Sequence, residues 1–114
     1  MKKSEKLKAL TDKYPYFDDQ LADMIIDKHV IVGYTYLKSD GTVDHQDQKY
    51  GLVIKTDKKK GVGILLHKSS EVIWLPPDLR SWRIALPGKY RAISTGEEIT
   101  NPDYLTTWVV TYKK

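Results

Sequence analysis

The fold is decided by the stretch His29-Val30-Ile31-Val32-Gly33-Tyr34-Thr35-Tyr36-Leu37, where the hydrophobic pattern takes a period of two residues. Successive side chains of a strand point to opposite faces, and one face of this segment carries Val30, Val32, Tyr34 and Tyr36. Ile31 lies on the other face, so both faces are apolar near the start of the segment. The pattern predicts a central strand that is covered on both sides.

A hairpin turn is predicted after this strand, at Ser39-Asp40-Gly41-Thr42. The Asp-Gly pair favours a type I′ turn, in which both central residues have positive φ. The predicted return strand begins polar, over residues 44–49, and becomes apolar at Tyr50-Gly51-Leu52-Val53-Ile54. Gly51 within it predicts a bulge or a sharp bend.

Further short strands are predicted from apolar runs that are separated by turn residues. They cover residues 62–67, 72–75, 89–93 and 106–112. Pro76 and Pro77 end the second of them, because proline cannot donate to a strand ladder. Residues 79–86 and 94–103 are predicted to be loops. We therefore expect residues 29–114 to form a small antiparallel sheet of about 5–6 strands, curled or barrel-like, since closure removes exposed edges.

Residues 1–28 have a helical period instead, and we expect them to form an N-terminal helical cap or arm. Pro15 divides this segment, because proline breaks a helix interior. Asp18 and Asp19 supply N-cap oxygens for a second helix. The predicted apolar positions are Leu7, Leu10 and Tyr14 before the proline, and Leu21, Met24 and Ile25 after it.

Length and composition indicate one small globular unit of the mainly β (α+β) class. The chain has 114 residues and no cysteine, so disulfides and thiolate metal sites are excluded. The basic N-terminus is not followed by an apolar run, and no apolar stretch is long enough to span a bilayer. We therefore expect a cytoplasmic protein without a membrane partner. Net charge is +4, and residues 28–114 carry eleven Lys and three Arg against nine acids, or +5.

Two resemblances follow from the strand motifs. Tyr50-Gly51-Leu52-Val53-Ile54, the turn from Asp57 to Gly61 and the apolar strands up to Pro77 resemble the bent three-strand core of SH3-like and Sm-like barrels. This likeness implies that residues 29–114 form an SH3-like β-barrel domain. Leu75-Pro76-Pro77-Asp78-Leu79 and Pro87-Gly88-Lys89-Tyr90-Arg91 also look like segments of a family of small uncharacterised bacterial proteins. That family implies no activity and transfers no site residues.

Catalytic motifs are missing from the sequence. None of the six serines lies in a Gly-x-Ser-x-Gly elbow, and Gly61-Val62-Gly63 lacks the rest of a phosphate loop. His45 and Asp47, two residues apart, could offer ligands to a metal from one face of a strand, but a solvated polar face is the simpler interpretation. We expect no enzyme, no cofactor and no metal site.

A loop that combines arginine with tryptophan is the strongest candidate for a binding site. Asp78, Arg80, Trp82 and Arg83 lie in it, and Arg91 is the remaining arginine of the chain. Arginine and tryptophan are enriched where proteins bind partners, and a guanidinium is suited to gripping a carboxylate or phosphate. These five residues are the predicted partner-binding set. The alternative is that Trp82 plugs one end of the barrel and the arginines pair with Asp78 or another acid.

The sequence thus favours a non-catalytic binding module, most readily a protein–protein interaction module of an immunity-like or accessory bacterial type. The alternative is a nucleic-acid-binding SH3-like or Sm-like barrel, which the pI of about 9.2 and the eight tyrosines favour. The sequence leaves the identity of the partner and the oligomeric state open.

Overall fold

A computed structural model describes residues 14–92 and 95–111, which form one helix and eight strands. The elements are α1 (Asp19–Ile25), β1 (His29–Leu37), β2 (Val43–Asp57), β3 (Gly61–Leu66), β4 (Val72–Leu75), β5 (Arg83–Ile84), β6 (Lys89–Arg91), β7 (Glu98–Thr100) and β8 (Tyr104–Thr111). The mainly β class with one short helix is confirmed. The predicted helix before Pro15 falls almost wholly on residues outside the described ranges.

Six strands form one sheet in the order β4-β3-β2-β1-β8-β5, and β6 pairs with β7 in a separate hairpin. From β1 to β4 the sheet is an antiparallel meander. β8 lies on the other side of β1 and pairs with it in parallel from Val30↔Tyr104 to Leu37↔Thr111. β1 is therefore the central strand that its hydrophobic pattern predicted.

The expectation of an antiparallel sheet is wrong at the β1–β8 pair, which makes the sheet mixed. Parallel neighbours need a long crossover connection. Residues 38–103 provide it, and they contain all the strands from β2 to β7. Among the described residues the sheet is open, with β4 and β5 as its edges, and not a closed barrel. Alternating side chains identify a strand, but they carry no information on its direction or on closure.

The main core lies on one face of this sheet. Val30 and Val32 of β1 and Val53 of β2 are fully buried there, against Ile64 of β3. Helix α1 and the β4–β5 connection cover this face with Ala22, Ile25, Leu79 and Trp82. Burial of these apolar side chains is the main stabilising contribution to the fold.

A smaller cluster covers the opposite face near the start of β1. Ile31 packs there against Ala92, which directly follows β6, and against Ile99 of β7. Tyr50 and Leu105 border this cluster. The burial of Ile31 confirms that β1 is covered on both sides.

Helix α1 begins where the sequence predicts it. The carboxylate of Asp18 caps the helix by accepting a hydrogen bond from the backbone N–H of Leu21 at 3.1 Å. The buried residues are Ala22 and Ile25, whereas Met24 is 57% exposed, so the predicted apolar position at Met24 is wrong. A seven-residue helix presents too few turns for spacing alone to fix its buried face.

Two turn details also differ from expectation. Gly41 has a φ of +90° but Asp40 does not have positive φ, so the β1–β2 turn is not type I′. The Asp40 carboxylate accepts from the backbone N–H and hydroxyl of Thr42 at 2.9 and 2.7 Å, which stabilises this other turn. The register of β2 is irregular between Val53 and Lys55, and again where Tyr36 and Leu37 of β1 pair with His45 and Val43. It is regular at Gly51, so the predicted bulge does not lie there.

Candidate functional site

The Arg80 side chain forms an ion pair with Asp78. Its Nε and Nη2 atoms donate to the two carboxylate oxygens of Asp78 at 3.0 and 2.7 Å, and its backbone N–H donates to Oδ1 at 3.0 Å. A bidentate pair of this kind fixes the guanidinium plane. The hydrogen bonds from Arg80 hold the pKa of Asp78 below its ordinary value and raise the pKa of Arg80.

Tyr16 orients the same guanidinium from a second side. The Arg80 Cζ atom lies 3.6 Å from the centroid of the Tyr16 ring, which is a cation–π contact. The carbonyl of Tyr16 also accepts a hydrogen bond from the backbone N–H of Leu79 at 2.9 Å. The connection after β4 is therefore attached to the segment before α1, and Arg80 is held in one orientation although its side chain remains exposed.

Trp82 is a core residue in the structure. It is 6% exposed and packs edge-on against Tyr104 of β8, with ring centroids 6.3 Å apart. Its indole N–H is buried without a hydrogen-bond acceptor among the described residues. The geometry agrees with part of the alternative interpretation, because Trp82 is buried and Asp78 pairs with Arg80. The sheet of the described residues is not a closed barrel that Trp82 could plug.

A hydroxyl contact anchors the same connection to β8. The Oγ of Ser81 lies 2.7 Å from Oγ1 of Thr106, which is 1% exposed. That Thr106 oxygen also accepts a hydrogen bond from Nε1 of Trp108 at 3.1 Å. The contact fixes the distance between the connection and the strand, and so shapes the space that lies between them.

This space is an open groove of about 390 Å³, here named the β8 groove. One wall consists of Asp78, Arg80, Ser81 and Arg83, and the other consists of residues 107–109 of β8. Arg83 forms no ion pair within the described part of the chain. The groove thus presents the oriented guanidinium of Arg80 and the guanidinium of Arg83, which has no ion pair among the described residues.

Arg91 lies apart from the other predicted site residues. It lines a smaller cleft of about 170 Å³ on the face covered by the β6–β7 hairpin, together with Ile31, Tyr90 and Leu105. The structure therefore brings Asp78, Arg80 and Arg83 to one groove, places Trp82 beneath it and separates Arg91 from it.

The structure adds β8 to the site, where the sequence predicts a strand but no site residue. Thr106-Thr107-Trp108-Val109-Val110-Thr111 contains no charged residue and no proline. Such a segment is unusual at an unprotected sheet edge. The composition alone predicts a strand, and the strand order is needed to show which side of it is left without a full-length neighbour.

The histidine at the hairpin is engaged by its neighbours. His45 stacks on Tyr36 with ring centroids 4.4 Å apart, and its Nδ1 lies 2.7 Å from a carboxylate oxygen of Asp44. Within the residues that the structure describes, no group of three or more His, Asp or Glu side chains could hold a metal ion. The pair of His45 and Asp47 therefore gains no third ligand there.

The ion pair between Asp78 and Arg80 predicts that the stability of the protein depends on pH. Because the pKa of Asp78 is lowered in the folded state, its contribution to stability is present above the ordinary value of 3.8 and is lost as the pH falls through the lower folded value. We expect Asp78→Asn to be slightly less stable than the wild type at neutral pH and equally stable at strongly acidic pH. Urea titrations of both proteins across this range measure the difference, and a constant difference at every pH contradicts the prediction.

Comparisons with known proteins leave the chain without an assigned family. No protein-family model matches it, and neither a curated protein nor a solved structure does. The single described helix is too short to cross a membrane.

Proposed function

We propose that this chain is a non-catalytic protein-interaction module that binds an acidic segment of a partner protein in the β8 groove. The observation that carries the proposal is the state of Arg83, an exposed guanidinium that has no ion pair within residues 14–92 and 95–111. It lies beside an Arg80 that Asp78 and Tyr16 already orient. Pre-oriented donors lose little side-chain freedom on binding, and planar guanidinium groups match carboxylates.

Arg83→Ala tests this proposal. Hydrogen bonds to charged groups contribute about 1.5–3 kcal/mol, so we expect the variant to retain about a tenth or less of the partner bound by the wild type. The measurement is capture of proteins from the native host on the immobilised full chain, at low and at high salt. Urea titration should show unchanged stability, because Arg83 is exposed.

Arg91→Ala is the matched control. It removes the same positive charge as Arg83→Ala. Arg91 is also exposed and has no ion pair in the described part of the chain, but it lies outside the β8 groove. We expect it to capture the partner as the wild type does. Equal losses in both variants would mean that only net charge attracts the partner, and the proposed site would then be wrong.

A second candidate is nucleic-acid binding, favoured by the stacked rings of Tyr36 and His45 near the hairpin. The carboxylate of Asp44 lies beside these rings and opposes the approach of phosphates. A protein partner is therefore the stronger proposal. Material that nuclease treatment releases from the column, with binding that falls steeply with salt, would favour nucleic acid instead.

The meander from β2 to β4, with its irregular register after Val53, supports a likeness to the three-strand core of SH3-like and Sm-like barrels. The parallel β1–β8 pair is a departure from an all-antiparallel barrel. We propose an immunity-like or accessory bacterial protein that acts in the cytoplasm.

A further inference from the structure

The outer edge of β8 is only partly used by the sheet. β8 pairs with β1 along its whole length, whereas β5 pairs with it only at Arg83↔Leu105 and Ile84↔Tyr104. Beyond Leu105 no strand in residues 14–92 or 95–111 pairs with this side of β8. Among the described residues, the backbone N–H and C=O groups that point away from β1 there are available to another strand.

Within the described residues, this edge lacks two of the features with which proteins protect an open edge. Residues 106–111 include neither lysine nor proline, and Val109 is 66% exposed. The opposite edge of the sheet is β4, which has four residues and is followed by Pro76 and Pro77. Short strands and prolines discourage pairing, whereas a β-prone uncharged edge promotes it.

We propose that β8 binds its partner by strand addition, with an extended acidic segment pairing along residues 107–111 as a new edge strand. The added strand continues the position that β5 occupies beside Leu105. This inference rests on the proposed function for its acidic ligand, since Arg80 and Arg83 lie on the wall of the groove that faces residues 107–109.

Charge and length define the ligand further. Five paired residues span ~17 Å of extended chain, so a segment of five to eight residues with carboxylates at alternate positions fits the edge. Alternate side chains face the same side of the added strand, which places those carboxylates toward the arginine wall. A second copy of this chain is less suited, because it carries the same net charge of +4.

An acetylated and amidated eight-residue peptide that alternates valine or threonine with glutamate is the probe. It is titrated into the isotope-labelled full chain, and amide chemical shifts and hydrogen exchange are followed by nuclear magnetic resonance. We expect shifts centred on residues 107–111, and slower exchange of those amides that face outward in the free protein. An absence of binding at millimolar peptide, or outward amides that are already protected without peptide, overturns strand addition.

Two altered peptides separate strand addition from the proposed function. Methylation of the peptide's backbone nitrogens keeps the carboxylates but removes the donors of a ladder, so we expect binding at least about tenfold weaker. Unchanged affinity for the methylated peptide refutes strand addition and leaves the acid-binding groove standing. A lysine-for-glutamate peptide that binds β8 as tightly as the original refutes the acidic preference and leaves strand addition standing.

Discussion

Trp82→Ala should destabilise the protein by about 3–5 kcal/mol, the usual cost of truncating a large buried aromatic side chain. Trp82 is 6% exposed and contacts the ring of Tyr104, so its removal leaves a cavity between the β4–β5 connection and β8. A small domain has a total stability of only about 5–15 kcal/mol, which makes this loss a large part of the whole. Urea titration followed by far-ultraviolet circular dichroism measures it without relying on tryptophan fluorescence.

Trp82→Phe is the control for this truncation. Phenylalanine retains much of the apolar volume and removes an indole N–H that has no acceptor among the described residues. A buried donor without a partner is unfavourable, so part of the lost packing is offset and the variant should be much more stable than Trp82→Ala. If Trp82→Ala keeps wild-type stability and loses only partner capture, Trp82 is a contact residue after all and its assignment to the core is wrong.

Trp82 also illustrates what a sequence can predict about this site. Its position beside Arg80 and Arg83 made it a candidate for binding, because composition does not reveal which way a loop side chain points. Its burial depends on the path of the connection, which the Ser81–Thr106 contact fixes across 25 residues of sequence. Asp78 and Arg80 are only two residues apart, and their pairing was accordingly predictable as an alternative.

In the fold, too, the features that neighbouring residues encode were predictable, whereas those that depend on distant contacts were not. The period of two residues in β1 and the N-cap at Asp18 are local signals, and both features are present in the structure. β5 and β7 have two and three residues, which is too short for any period to be detected. The parallel pairing of β1 with β8 joins segments that are 74 positions apart in the register Val30↔Tyr104, and no local pattern encodes it.

Gly61→Ala should also destabilise strongly, and its effect should be centred on the β3–β4 pair. Gly61 has a φ of +100°, and a Cβ atom there would lie 1.8 Å from the carbonyl oxygen of Leu75. Alanine is disfavoured at positive φ by about 1–2 kcal/mol, and a contact this close adds about 1–3 kcal/mol of overpacking. Because the obstacle is backbone and not a flexible side chain, β4 has to move away from β3.

Gly41→Ala separates backbone strain from this collision. Gly41 has a similar φ of +90°, but a Cβ atom there meets nothing within 4 Å. The Gly41→Ala variant should therefore lose only the stability that alanine costs at positive φ, about 1–2 kcal/mol. Urea titration measures the loss of stability in each variant. Amide hydrogen exchange shows where the loss lies, and we expect faster exchange in residues 62–65 and 72–75 only for Gly61→Ala. Equal losses in the two variants would mean that the close approach of β3 to Leu75 does not contribute, since strain at positive φ is common to both positions.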